Sequence, residues 1–107
     1  MMINNEIREV LSRRISLHPE DDYAIEQCWE QEVKILSKDR EETIRFLCAE
    51  ASDDELAWLS EIFDDLILKT QDTGLLEAIK IRATSVVSSQ DRHSVDVGIK
   101  GAEGMLL

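Results

Sequence analysis

The chain has one proline, Pro19, and four glycines, none before Gly74. Residues 20–73 therefore contain neither of the strong chain-breakers, and no Asn-Gly or Asp-Gly pair divides alternating strands there. Those absences exclude a hairpin-rich β protein. Cysteine is scarce as well: Cys28 and Cys48 lack the paired spacing of a zinc site, and both fall on or beside apolar stripes, where they read as small buried hydrophobes. No apolar stretch approaches the roughly 20 residues of a membrane-spanning helix. The opening MMINNEIREVLSRRI lacks the apolar core of a secretory signal, so the expected location is the cytoplasm, with both thiols reduced.

Positive charge is in short supply. Twelve Lys and Arg face 23 Asp and Glu across 107 residues, leaving a net charge of −11. A chain with a pI near 4.5 repels the phosphates of nucleic acid and the anionic face of a membrane. It attracts basic protein partners instead, because complementary charge speeds encounter.

What is present is helical periodicity. A first helix over about 4–16 carries Ile7, Val10, Leu11 and Ile15 on one face. Pro19 suits the first turn of a second helix, about 20–36, where Glu20, Asp21 and Asp22 complement the positive end of the dipole. Its buried stripe is Ile25, Trp29, Val33 and Leu36. A third helix, about 40–51, turns Ile44, Leu47, Cys48 and Ala51 inward. Ser52 followed by Glu55 has the spacing of a capping box, opening a fourth helix over about 53–69 that buries Leu56, Leu59, Phe63, Leu66 and Ile67. A fifth, about 75–88, presents Leu75, Leu76, Ile79, Ala83 and Val86. Val95, Ile99, Ala102 and Leu106 predict a weak final helix over about 93–106, although Val95, Val97 and Ile99 also alternate like a strand, and Gly98, Gly101 and Gly104 each weaken a helix by about 1 kcal/mol. The fold class is all-α, a single-domain bundle or stack of five to six antiparallel helices over residues 1–107.

Catalytic templates find no match. There is no glycine-rich phosphate loop and no Glu-x-x-His step of a di-metal bundle. His18 and His93 both fall in predicted loops, and an enzyme reading would have to rest on His18 with Asp21 or Asp22. The expectation is a protein without enzymatic activity, cofactor or metal.

The distinctive feature is the placement of acids. From Phe46 to Leu68 there is no Lys or Arg, yet Glu50, Asp53, Asp54, Glu55, Glu61, Asp64 and Asp65 all occur. On a continuous fourth helix, Asp54, Trp58, Glu61 and Asp65 share a strip about 60° wide, beside the apolar stripe. Asp22, Glu26 and Glu30 form a second row on the second helix. An aromatic among carboxylates is a good receiver for Arg and Lys, since tryptophan is enriched at binding hot spots. These seven residues are the candidate partner-binding surface. Changing Glu61 and Asp65 to Lys is expected to slow association with a basic partner.

The stretch SDDELAWLSEIFDDLILKTQDTGLLEAIKIRA, residues 52–83, resembles small acidic helical immunity proteins of bacterial contact-dependent growth inhibition and other polymorphic-toxin loci. Ser52, Asp53, Glu55 and Leu56 match the start of that pattern, Trp58, Leu59, Ser60, Glu61 and Phe63 its centre, and Lys69, Thr70 and Gln71 its end. The preceding KDREETIRFL resembles the family's approach to this helix, and the likeness spans about residues 34–88. It implies a cytosolic protein that binds and neutralises a cognate toxin, often a basic nuclease, without touching nucleic acid or membrane itself. It transfers no contact residues, because those differ from one immunity protein to the next. The alternative is a non-enzymatic adaptor of a larger assembly, docked through the terminal MLL.

Overall fold

In the computed structural model, which describes residues 2–107 in backbone and 3–107 in side chain, the chain is all-α, and no strand occurs among the described residues. Helix α1 (Met2–Ser16) lies against α2 (Asp22–Leu36); α3 (Arg40–Arg45) runs on into a π turn, Phe46–Glu50. Helix α4 (Asp53–Leu59) passes through a 3-10 turn, Ser60–Ile62, into α5 (Phe63–Thr70). Helices α6 (Thr73–Ala83) and α7 (Ser89–Glu103) complete the bundle, and α7 packs on α4, α5 and α6. The extents are 32 × 30 × 29 Å.

Helix starts coincide with caps. Asp21, Asp39, Ser52, Asp72 and Ser88 each accept a backbone N–H of the following turn, which supplies an acceptor to donors that have none within the helix. At Ser52 the capping box is complete: its hydroxyl accepts from Glu55 N (3.1 Å) and its own N–H donates to Glu55 Oε1 (2.9 Å). Pro19, expected inside the second helix, lies in the turn before it, because Asp21 takes the cap by accepting from Ala24 N.

The core is continuous through all the helices. Phe46, Leu47, Leu56, Leu59, Ile62, Phe63, Leu66, Ile67 and Ile79 are fully buried, with Ile7, Leu36 and Val95 closing the ends. Further expectations change. The fifth helix, expected over about 75–88, spans Thr73–Ala83, and Val86 is buried from the loop after it. Ile15 is 46% exposed, whereas Arg14 beside it turns onto Glu61 and Trp58. Cys48 is exposed, because the π turn adds a residue that carries Phe46 and Leu47 inward and Cys48 outward. The last helix begins at Ser89, four residues earlier than expected, and ends at Glu103 instead of running on to 106.

The glycines of that helix explain its packing. A Cβ at Gly98 would lie 2.6 Å from the Ser60 carbonyl oxygen and 3.1 Å from the Phe63 ring, so glycine lets α7 lie directly on the 3-10 turn. The turn itself is marked by Ser60, whose hydroxyl donates back to the Ala57 carbonyl, a bond that bends helices. Gln71, in the left-handed region at φ 50°, ends α5.

Candidate functional site: an acidic groove beside Trp29

Along α2, Glu26 and Glu30 are one turn apart and exposed, with Trp29 and Val33 half-buried between them and the core. Helix α5 runs opposite and brings Asp65 to the same place. Glu26, Trp29, Glu30, Val33 and Asp65 line a groove of about 530 Å³. A smaller depression continues from it around Trp29, lined also by Arg14, Pro19, Asp22 and Ile25. The two acidic rows read separately in the sequence thus converge, through Asp22, Glu26, Glu30 and Asp65, on one indole. Partial burial and the neighbouring Asp64 push the Asp65 carboxyl up from its ordinary range.

Trp29 is held from behind. Its indole N–H donates to Glu61 Oε1 at 3.1 Å. Glu61 also receives a forked pair from Arg14, Nε to Oε1 at 2.9 Å and Nη2 to Oε2 at 2.7 Å. The same guanidinium lies over the Trp58 ring, 5.1 Å from its centroid. Glu61 is therefore a junction between α1, α2 and the α4–α5 turn, and its carboxylate is already committed to partners inside the fold. Trp58 packs against the core under Arg14.

The strip expected on one continuous helix is divided. The 3-10 turn has three residues per turn in place of 3.6, so it rotates the side chains of α5 about the axis relative to those of α4. Asp54, Trp58 and Glu61 line a groove of about 300 Å³ shared with Gln90, Asp91 and Ser94 of α7, whereas Asp65 faces α2.

Behind Trp29 lies Glu32, a residue outside both acidic rows. It is 0% exposed, and neither carboxylate oxygen has a hydrogen-bond partner among the described residues. Burial and the nearby Glu61 push its pKa up to about 8, against the pull of Arg14. Glu32 therefore carries its proton at neutral pH. A signal for it exists in the sequence: it stands four residues after Cys28 and four before Leu36, where the stripe calls for an apolar side chain. Arg14 gives no such signal, because its partner is 47 positions away.

The histidine alternative places its residues in backbone bonding. His18 Nδ1 accepts the Glu20 N–H at 3.1 Å, and Asp21 is the α2 cap. Among the described residues, no group of three His, Cys, Asp or Glu is placed to hold a metal, and no helix is long and apolar enough to cross a membrane. The terminal MLL folds back: Leu106 packs on the core, while Gln71 donates to the Met105 carbonyl (2.8 Å) and accepts the Leu107 N–H (2.9 Å).

The chain matches no family model, no curated protein and no solved structure. The groove must be interpreted from its own residues. Six of the side chains in and beside it carry charge (Arg14, Asp22, Glu26, Glu30, Glu61, Asp65), and of the acids only Glu61 is paired with a cation among the described residues. Some carboxylates elsewhere are paired, as in Arg8 with Glu55 and Arg82 with Asp53, and others, such as Asp54 and Asp91, have no ion-pair partner among the described residues, so what sets the groove apart is the indole between its acids.

Proposed function

We propose that the chain is an immunity-type protein that binds and neutralises a cognate basic toxin, of the nuclease class, in the cytoplasm, by occupation alone and with no chemistry of its own. The observation that supports this reading is the convergence of Glu26, Glu30 and Asp65, none of them ion-paired among the described residues, on the half-buried Trp29. A nuclease must bind phosphates with Lys and Arg, and a protein that offers carboxylates around an aromatic floor competes for those cations. The net charge of −11 adds long-range attraction for such a partner and repulsion of its substrate. The likeness of residues 52–83 to toxin-locus immunity proteins points the same way.

The test is to tag the protein, express it from its own locus and identify what co-purifies at low and high salt. The reading requires a basic protein in equal amount that arrests growth when expressed alone and becomes harmless when this chain is restored. A partner that is harmless alone, or recovery of the chain only with itself, refutes it.

A further inference from the structure

The groove beside Trp29 has the composition of a site for one particular side chain, and the protein contains a filled version of the same arrangement. At the half-buried joint of α1 with α4, Arg14 lies over Trp58 at 5.1 Å while its nitrogens fork onto the Glu61 carboxylate at 2.9 and 2.7 Å. On the surface, Trp29 is flanked by Glu26 and Glu30 from its own helix and by Asp65 from α5, with no cation of the described residues paired to any of the three. The Trp29 N–H is taken by Glu61, which fixes the ring and leaves its surface, not its donor, to the groove.

The geometry points to an arginine of the partner as the occupant of this groove, its guanidinium stacked on Trp29 and forked onto Glu26, Glu30 or Asp65. This deepens the toxin-binding reading and rests on it. Arginine fits better than lysine because a planar guanidinium can face an indole and donate in plane to carboxylates at once, which a compact ammonium cannot. Charge selects the same occupant. The carboxylates are unpaired, and Asp65 already bears the cost of a neighbouring Asp64 that an arriving cation relieves. A second copy of the chain, itself carrying −11, is the poorer occupant.

The probes are tri-arginine amide and tri-lysine amide, titrated into the full isotope-labelled chain at low salt. The two indole N–H resonances and the backbone amides are followed by NMR. Tri-arginine should shift the Trp29 indole and the amides of Glu26, Glu30 and Asp65, leaving Trp58 in place, and should bind at least about fivefold more tightly than tri-lysine. The triple variant Glu26→Gln, Glu30→Gln, Asp65→Asn, all exposed positions, should lose about tenfold or more in affinity with its amide spectrum otherwise retained. Equal binding of the two peptides, shifts centred on Trp58 and Asp54, an unaffected triple variant, or no saturable binding would each overturn the proposal. The two readings fail separately. A toxin neutralised equally well by the triple variant overturns the arginine site and leaves immunity intact. Tri-arginine binding as expected, with no toxic partner, keeps the site and refutes immunity.

Discussion

Trp29 and Glu61 are joined by an indole hydrogen bond of 3.1 Å, and it couples the exposed groove to the half-buried junction beside it. Glu61 stands at the meeting of three helical segments, so its loss is felt in the fold before it is felt in binding. Glu61→Ala should destabilise the protein by about 3 kcal/mol, since it leaves Arg14, whose side chain is only 12% exposed, without its counter-charge. Chemical denaturation checks the value. Adding Arg14→Ala to the Glu61→Ala variant should cost less than the two single losses combined, because the orphaned charge is gone.

Lysine at Glu61 therefore perturbs the fold together with any docking. The informative charge reversals are Glu30→Lys and Asp65→Lys, on opposite walls of the groove. Each should lower the association rate with a basic partner severalfold and flatten its dependence on salt, with little change in melting temperature. Stopped-flow association at several ionic strengths measures both effects, and rates equal to wild type would remove this face from the interface. Asp54→Lys, in the separate groove against α7, should have the weaker effect.

Glu32 makes stability fall as pH rises. Its folded pKa, about 8, lies above the ordinary carboxyl value of 4.5, so between those two pH values the native state holds a proton that the unfolded chain releases. The contribution is fully present below about pH 4.5, declines across that interval and levels off above pH 8. Glu32→Gln, which cannot ionise, should remove this part of the slope and exceed wild type by about 1–2 kcal/mol at pH 8. Denaturation midpoints at pH 5.5, 7 and 8.5 decide it; a variant whose midpoint tracks wild type throughout would mean that Glu32 does not hold its proton.

Two glycines of α7 should respond oppositely to the same change. Gly98→Ala forces a methyl against the Ser60 carbonyl and should cost about 1–3 kcal/mol. At Gly101 a Cβ would meet only the Asp64 Cβ at an ordinary 3.7 Å, so Gly101→Ala should gain about 0.5–1 kcal/mol from helix propensity and lost unfolded-state entropy. Thermal melts of the two single variants show whether the signs differ.

Local signals make much of the architecture legible in the sequence. The chain-breakers, the Ser52–Glu55 box and the stripes from Leu56 to Ile67 and from Leu75 to Ala83 each depend on residues a turn or two apart, and each is realised; Val86 is buried, but from the loop that follows α6. Gly98 misleads because sequence displays the propensity cost of glycine and hides the carbonyl that requires the space. The acidic strip loses Asp65 beyond Ser60, where a back-bonded hydroxyl changes the helical pitch that the wheel assumes constant, while Asp54, Trp58 and Glu61 still share one groove. The site is half-legible: its carboxylates stand in helical rows, but the meeting of Asp65 with Glu26 and Glu30 depends on how α5 crosses α2. Arg14 and Glu61, 47 residues apart, lie beyond any periodicity.

The protein has two tryptophans, and both touch the same ion pair: Trp58 lies under Arg14, and Trp29 is bonded to Glu61. Its entire indole emission therefore originates at one joint. Detachment of α1 would remove a cation from one chromophore and release the carboxylate bound to the other in a single event. Ultraviolet fluorescence thus provides a built-in optical strain gauge for that joint.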